Sequence, residues 1–123
     1  MKSLFAAAAL AALTLAPAYA ACVYPHAPDH IPDGNTATFA QMLAGEKAVK
    51  TYNTQMVAYL HCLSQEQDKE IAQASLKLTK KQIAEMRSID RKRHNAAVEQ
   101  LMTVAKEFNA EVVIYKKKHK HGK

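Results

Sequence analysis

Residues 47–63 read KAVKTYNTQMVAYLHCL. Val49, Met56 and Leu63 recur every seven residues, and Tyr52 and Tyr59 fall three after the first two. Carried backward, the same spacing takes in Met42 and Gly45. A repeat of this kind puts one apolar seam along a helix, and such a seam must be covered along its length. Phe39 and Leu60 widen the seam, whereas Lys47, Lys50, Asn53 and Thr54 fall off it and are expected in solvent. Gly45 either weakens the helix locally or lets another segment pack close. Cys62 stands beside the seam.

Working outward, Thr38-Phe39-Ala40-Gln41 has the Thr-x-x-Gln form of a capping box, so the helix is expected to begin near Phe39. Residues 64–70 (SQEQDKE) contain no apolar side chain. Ser64 and Gln67 offer a further box, so the helix either continues here or breaks and restarts. Ile71, Ala74 and Leu78 resume the apolar spacing. Thr79-Lys80-Lys81-Gln82 is another box, which predicts a turn near 76–79 and a second long helix. That helix carries Ile83, Met86 and Ile89, a polar window at 90–95 (DRKRHN), and then Val98, Leu101, Ala105, Phe108, Val112 and Tyr115 at alternating steps of three and four.

The fold class expected is all-α: an antiparallel helical hairpin over residues 38–117, preceded by an extended Pro-rich arm. Matching the seams makes facing positions sum to roughly 156, the register of an antiparallel pair. Met42 then meets Tyr115, Val49 meets Phe108, and Met56 meets Leu101. The polar windows also meet, with Glu66, Asp68 and Glu70 opposite Arg87, Arg91 and Lys92. Exposed pairs of this type add about 0–1 kcal/mol each but disfavour a shifted register.

The N-terminus reads as an export signal. Lys2 begins it, residues 4–16 (LFAAAALAALTLA) form an apolar run too short for a membrane span, and Ala18-Tyr19-Ala20 is a small-x-small cleavage site. Residues 1–20 are therefore expected to be removed and the product to reach the periplasm without a transmembrane segment. An acylated Cys22 is the lipoprotein alternative. It fits less well, because Tyr19 stands where lipoproteins carry Leu and Cys62 would be left an odd thiol. Two cysteines outside the cytosol normally pair, so Cys22 and Cys62 are expected to form a disulfide. The arm, residues 21–37, holds Pro25, Pro28 and Pro32 and then an Asp33-Gly34 turn. Its polyproline-like reach of about 50 Å exceeds the roughly 36 Å from Thr38 to Cys62, so it can run back beside the first helix.

The formal net charge of +6 is unevenly placed. Residues 21–115 balance acids and bases, and the basic tail (residues 118–123) with its approach at 116–117 supplies Lys116, Lys117, Lys118, Lys120 and Lys123 with no acid. For an exported protein such a tail suits anionic lipid headgroups or other acidic envelope surfaces, and the partner expected is a protein or an anionic envelope surface, not nucleic acid.

No catalytic set stands out, so the chain is read as a non-enzyme without a cofactor. Cys62 and His61 are helix neighbours and point apart. His26, Asp29 and His30 in the arm, and His119 and His121 in the tail, carry metal-ligand chemistry. Neither group supplies the four ligands of a structural site, and no metal site is assigned. Met42, Met56, Met86 and Met102 sit at helical spacing, as core side chains do.

Two resemblances follow from motifs. Cys22, IPDG (31–34), VKTY (49–52), YLHCL (59–63), HNAAVEQLMTVAKEFN (94–109) and Tyr115-Lys116 resemble a family of small exported bacterial helical proteins. That resemblance covers most of the mature chain and implies secretion and paired cysteines, but no activity. Leu78-Thr79-Lys80-Lys81-Gln82 with Met86 resembles the LTxxQ motif of periplasmic stress chaperones and metal-stress adaptors, which are hairpins forming cradle-shaped dimers. Those proteins usually carry two such motifs and this chain carries one. The functional expectation is an envelope-associated interaction module. A stress chaperone or adaptor and a metal-sequestering protein using its His-containing ends are the alternatives, with a second copy of the chain as a candidate partner.

Overall fold

The structure, a computed structural model, describes residues 22–120; the expected signal peptide and the tail residues His121 and Lys123 lie outside these. Two helices, α1 (Phe39–Ala74) and α2 (Lys80–His119), pack against each other as a hairpin, with no strand among the described residues. At 1.5 Å per residue they run about 54 and 60 Å.

Both starts are set by local chemistry. The Thr38 backbone N–H donates to Gln41 Oε1 at 2.8 Å and the Gln41 N–H donates to Thr38 Oγ1 at 3.2 Å. Thr79 and Gln82 repeat the exchange at 2.9 and 3.3 Å. Each box satisfies two amides that the first helical turn leaves without carbonyl partners. Between the helices, Lys77 and Leu78 donate their amides to the Ala74 carbonyl at 2.9 and 2.8 Å and close the turn. Replacing Thr79 with Ala is expected to lower unfolding free energy by about 1 kcal/mol, the usual cost of a lost cap, readable in urea denaturation followed by circular dichroism.

The first helix does not break at 64–70. It continues to Ala74, because Gln, Glu and Lys are good helix formers and neither Gly nor Pro interrupts the ladder. Ser64 and Gln67 therefore lie in mid-helix, and the Gln67 Nε2 is buried without a protein partner.

On α1 the buried residues are Met42, Gly45, Tyr52, Met56, Tyr59 and Leu63, with Val49 half-buried. The heptad seam is thus the core face. Phe39, expected to widen it, is instead 69% exposed. On α2 the most buried positions are Ala97, Val104 and Phe108. Val98, Leu101, Ala105 and Val112, expected to face α1 squarely, are only half-buried. The core line on α2 is therefore rotated away from the apolar stripe read in the sequence. Ile89, also expected on the seam, is exposed.

The arm explains the rotation. Cys22 is bonded to Cys62 across 40 residues of sequence, with Cα atoms 5.7 Å apart. From there the arm runs back along one side of α1. Tyr24 meets Tyr59 edge-on at 5.0 Å, Pro25 and Pro32 are buried, and Ala27 and Ile31 pack on the core. Side chains covered by the partner helix and by the arm become fully buried. Those on the other side of the seam are covered once. Ile89 lies past the level at which the arm meets α1, so nothing in the described chain covers it.

The register agrees with seam matching. Met42, Val49, Phe108 and Tyr115 share one apolar cluster, and Met56 and Leu101 share the other. Asp68 lines one groove with Arg87 and Arg91, so the polar windows do meet. The expected ion pairs across them do not form; among the described residues the Lys–carboxylate pair is Lys50–Glu46 at 2.6 Å, and His26 hydrogen-bonds Asp29 at 2.8 Å. No described residue between Leu63 and Ala97 is buried, so the far half of the hairpin is a thin pair of helices.

Candidate functional site

The basic end of α2 is built by its junction with the arm. Asp33 starts a tight turn: its carbonyl accepts from the Thr36 and Ala37 amides at 3.1 and 2.8 Å, and its carboxylate accepts from the Asn35 amide at 2.8 Å. That backbone hydrogen bond comes first among the causes holding the Asp33 carboxyl below its ordinary range, with the Lys118 charge a smaller contribution. Gly34 then presses on α2. Its amide donates to Glu111 Oε2 at 2.7 Å. Lys118 Nζ donates to the Asn35 carbonyl, which joins the basic end to the same turn.

The helix persists through Lys116, Lys117, Lys118 and His119, with Lys120 as its cap, whereas the sequence reading ended the hairpin at 117 and let the tail fray. The reason is twofold. Cations suit the negative end of a helix dipole, and the turn at 33–35 supplies an anchor. His119 adds to this, with its ring stacked on Tyr115 at 3.9 Å and Nδ1 2.9 Å from the Tyr115 carbonyl. Lys116, Lys117, Lys118 and Lys120 are all exposed, and none pairs with a carboxylate among the described residues. They project from a helix end that is tied to the turn at 33–35. The Asp33-Gly34 signal was legible in the sequence. The partnership with Glu111 and Lys118 was not, because it joins residues 77 and 83 apart.

The other sequence candidates scatter. His26 Nε2 lies 2.8 Å from Asp29 Oδ1, with both side chains in solvent, and no third ligand gathers there among the described residues. Thr79 and Gln82 of the LTxxQ-like stretch are occupied in capping. Cys62 is held in the disulfide and is not a free thiol.

One core group has a shifted acidity. The Tyr52 hydroxyl is buried without a protein hydrogen-bond partner. Its pKa is raised, by burial first and then by the Tyr24 phenol beside it. A phenol whose folded pKa lies above its unfolded value near 10.0 contributes stability below that value and loses it as pH rises through the folded pKa. Thermal midpoints measured upward from pH 9 are therefore expected to fall less steeply for Tyr52→Phe than for the parent chain. At neutral pH the substitution should be close to neutral, because it removes an unpaired buried polar atom.

No family model, curated protein or solved structure matches the chain.

Proposed function

We propose that the chain is an exported, non-enzymatic binding protein of the periplasm, and that the basic end of α2 is its contact with anionic envelope surfaces. The observation that supports this most is the row of exposed lysines, Lys116, Lys117, Lys118 and Lys120, carried on an anchored helix end. A helix end that is already formed needs no backbone ordering when it binds, and each lysine near an anionic bilayer contributes about 1 kcal/mol. The Cys22–Cys62 bond suits an oxidising compartment. A sulfur held in that bond is also closed to acylation, which favours cleavage after Ala20 over a lipid anchor on Cys22.

The test is co-sedimentation of the mature, disulfide-bonded protein with vesicles. Binding to phosphatidylglycerol vesicles at low salt is expected, with little binding to phosphatidylcholine. It should be lost at high salt, as screening of surface charges requires, and strongly weakened by Lys116→Glu with Lys117→Glu and Lys120→Glu. Absence of binding at low salt, or binding indifferent to these substitutions, rejects the reading. The stress-chaperone alternative draws little from the LTxxQ-like stretch, whose Thr79 and Gln82 side chains are occupied in capping; suppression of a client's aggregation at stoichiometric amounts would revive it.

A further inference from the structure

The hairpin has two broad faces, and the arm covers one of them. On α1 the arm lies over the stripe that includes Ala48, Tyr52, Tyr59 and Cys62. The stripe on the other side of the seam has no cover among the described residues. There Leu60 and Ile71 are half-buried, Val57 is 56% exposed, and Phe39 stands five full turns before Val57 on the same side, with Asn53 and the Lys50–Glu46 ion pair between them. On α2 the bare side carries half-buried Val98 and Met102, which is 56% exposed. Val98 belongs to the part of the α2 stripe that the single chain leaves off its core line, and Met102 flanks it. We propose that this arm-free face is an interface with a second copy of the chain, formed about a two-fold axis that runs along the hairpin.

Size and charge argue for that occupant. From Phe39 to Ile71 the face is roughly 48 Å long and, at two helix diameters, about 20 Å wide. Covering it removes roughly 900 Å² per copy, about what a standard stable interface takes from each partner. The charges choose the axis. Toward the tip, the bare groove has Asp68 on its α1 wall and Arg87, Asp90 and Arg91 on its α2 wall, which leaves that wall net positive, and none of these makes an ion pair among the described residues. An axis along the hairpin lays each α1 on the other copy's α2 at the same height. Asp68 of each copy then faces Arg87 and Arg91 of the other, and Val57 comes within a turn of Met102. An axis across the hairpin, through the middle of the face, lays α1 on α1 with the tip of one copy against the base of the other, so Asp68 no longer meets these arginines. The result is a four-helix bundle in which every neighbour is antiparallel, with both arms on its outside.

Sedimentation equilibrium on the mature, disulfide-bonded protein tests this. A mass of two chains is expected in the micromolar range. Val57→Glu with Met102→Glu, both at exposed positions, should give a single chain with the helical circular dichroism spectrum retained. Ile89→Glu, on an exposed position outside this face, should leave the mass at two chains. Asp68→Arg alone, and Arg87→Asp with Arg91→Asp, should each weaken association at least about tenfold, and combining all three should restore it. A single chain at all concentrations overturns the interface, as does a dimer that survives Val57→Glu with Met102→Glu. Failure of the combined charge reversal to restore association overturns the axis.

Discussion

Removing the Cys22–Cys62 bond, by Cys22→Ser with Cys62→Ser or by reductant, is expected to lower the unfolding free energy by about 4 kcal/mol. The estimate follows from loop entropy: the bond closes a loop with a sequence separation of 40, and releasing it restores that freedom to the unfolded chain. The packing argues in the same direction. The arm supplies buried Pro25 and Pro32, the Tyr24 contact with Tyr59, and half-buried Ala27 and Ile31. Without the bond these contacts must hold the arm alone. For a domain of this size the loss corresponds to a drop of roughly 20 °C in thermal midpoint. Urea denaturation of the two forms measures it directly. A shift under about 1 kcal/mol would mean that the arm stays docked unaided and that the unfolded chain gains little freedom.

Gly34→Ala is expected to cost about 3 kcal/mol, the upper part of the range for overpacking. The backbone at Gly34 is not in the left-handed region, so the cost is steric and not conformational. A Cβ there would lie 2.8 Å from the Tyr115 amide nitrogen, 3.0 Å from Ile114 Cβ, and closer still to the Glu111 carbonyl oxygen. Two of these neighbours are α2 backbone, which cannot turn aside. The turn would have to lift, losing the Gly34–Glu111 and Lys118–Asn35 hydrogen bonds. Gly45→Ala makes the contrast. Its Cβ would meet the Pro32 ring at 2.6 Å and Phe108 at 3.0 Å, contacts that a shift of the arm and of the Phe108 ring must relieve, with no helix backbone in the way. Ala also recovers about 0.5–1 kcal/mol of helix propensity. The paired variants, compared by urea midpoint, separate the two cases; equal costs would show that the turn at Gly34 yields as easily as a proline ring.

The core of α1 was legible because its seven-residue spacing names the buried side chains one by one, from Met42 to Leu63. Both helix starts were legible because Thr38 and Thr79 cap through neighbours three residues away. The arm's path was legible from its length and the position of Cys22. What escaped was the consequence of adding that arm. A stripe of apolar residues on α2 does not reveal that a third segment will cover one side only, so Ala97 and Val104 displace Val98 and Ala105 as the buried positions. Phe39 and Ile89 escaped for the same reason, since helical spacing places a residue on a face but not the cover over it. At the candidate site, the lysines were visible as composition, whereas their anchorage through Lys118, Asn35 and Gly34 is a tertiary fact with no local signal.

The absence of buried residues between Leu63 and Ala97 divides the molecule into two cooperative units of unequal strength. Amide hydrogen exchange should reveal them. In the stapled half, opening requires undocking the arm and the core together, so its amides should exchange with free energies near the global value. Past Cys62, the two helices are held by half-buried contacts around Ile71, Ile83 and Met86, and they can fray from the 75–79 turn without disturbing the core. Exchange there should be fastest at the turn and slow progressively toward the disulfide. The bond between Cys22 and Cys62 would then serve as a firebreak, stopping the unzipping of the tip from spreading into the rest of the chain.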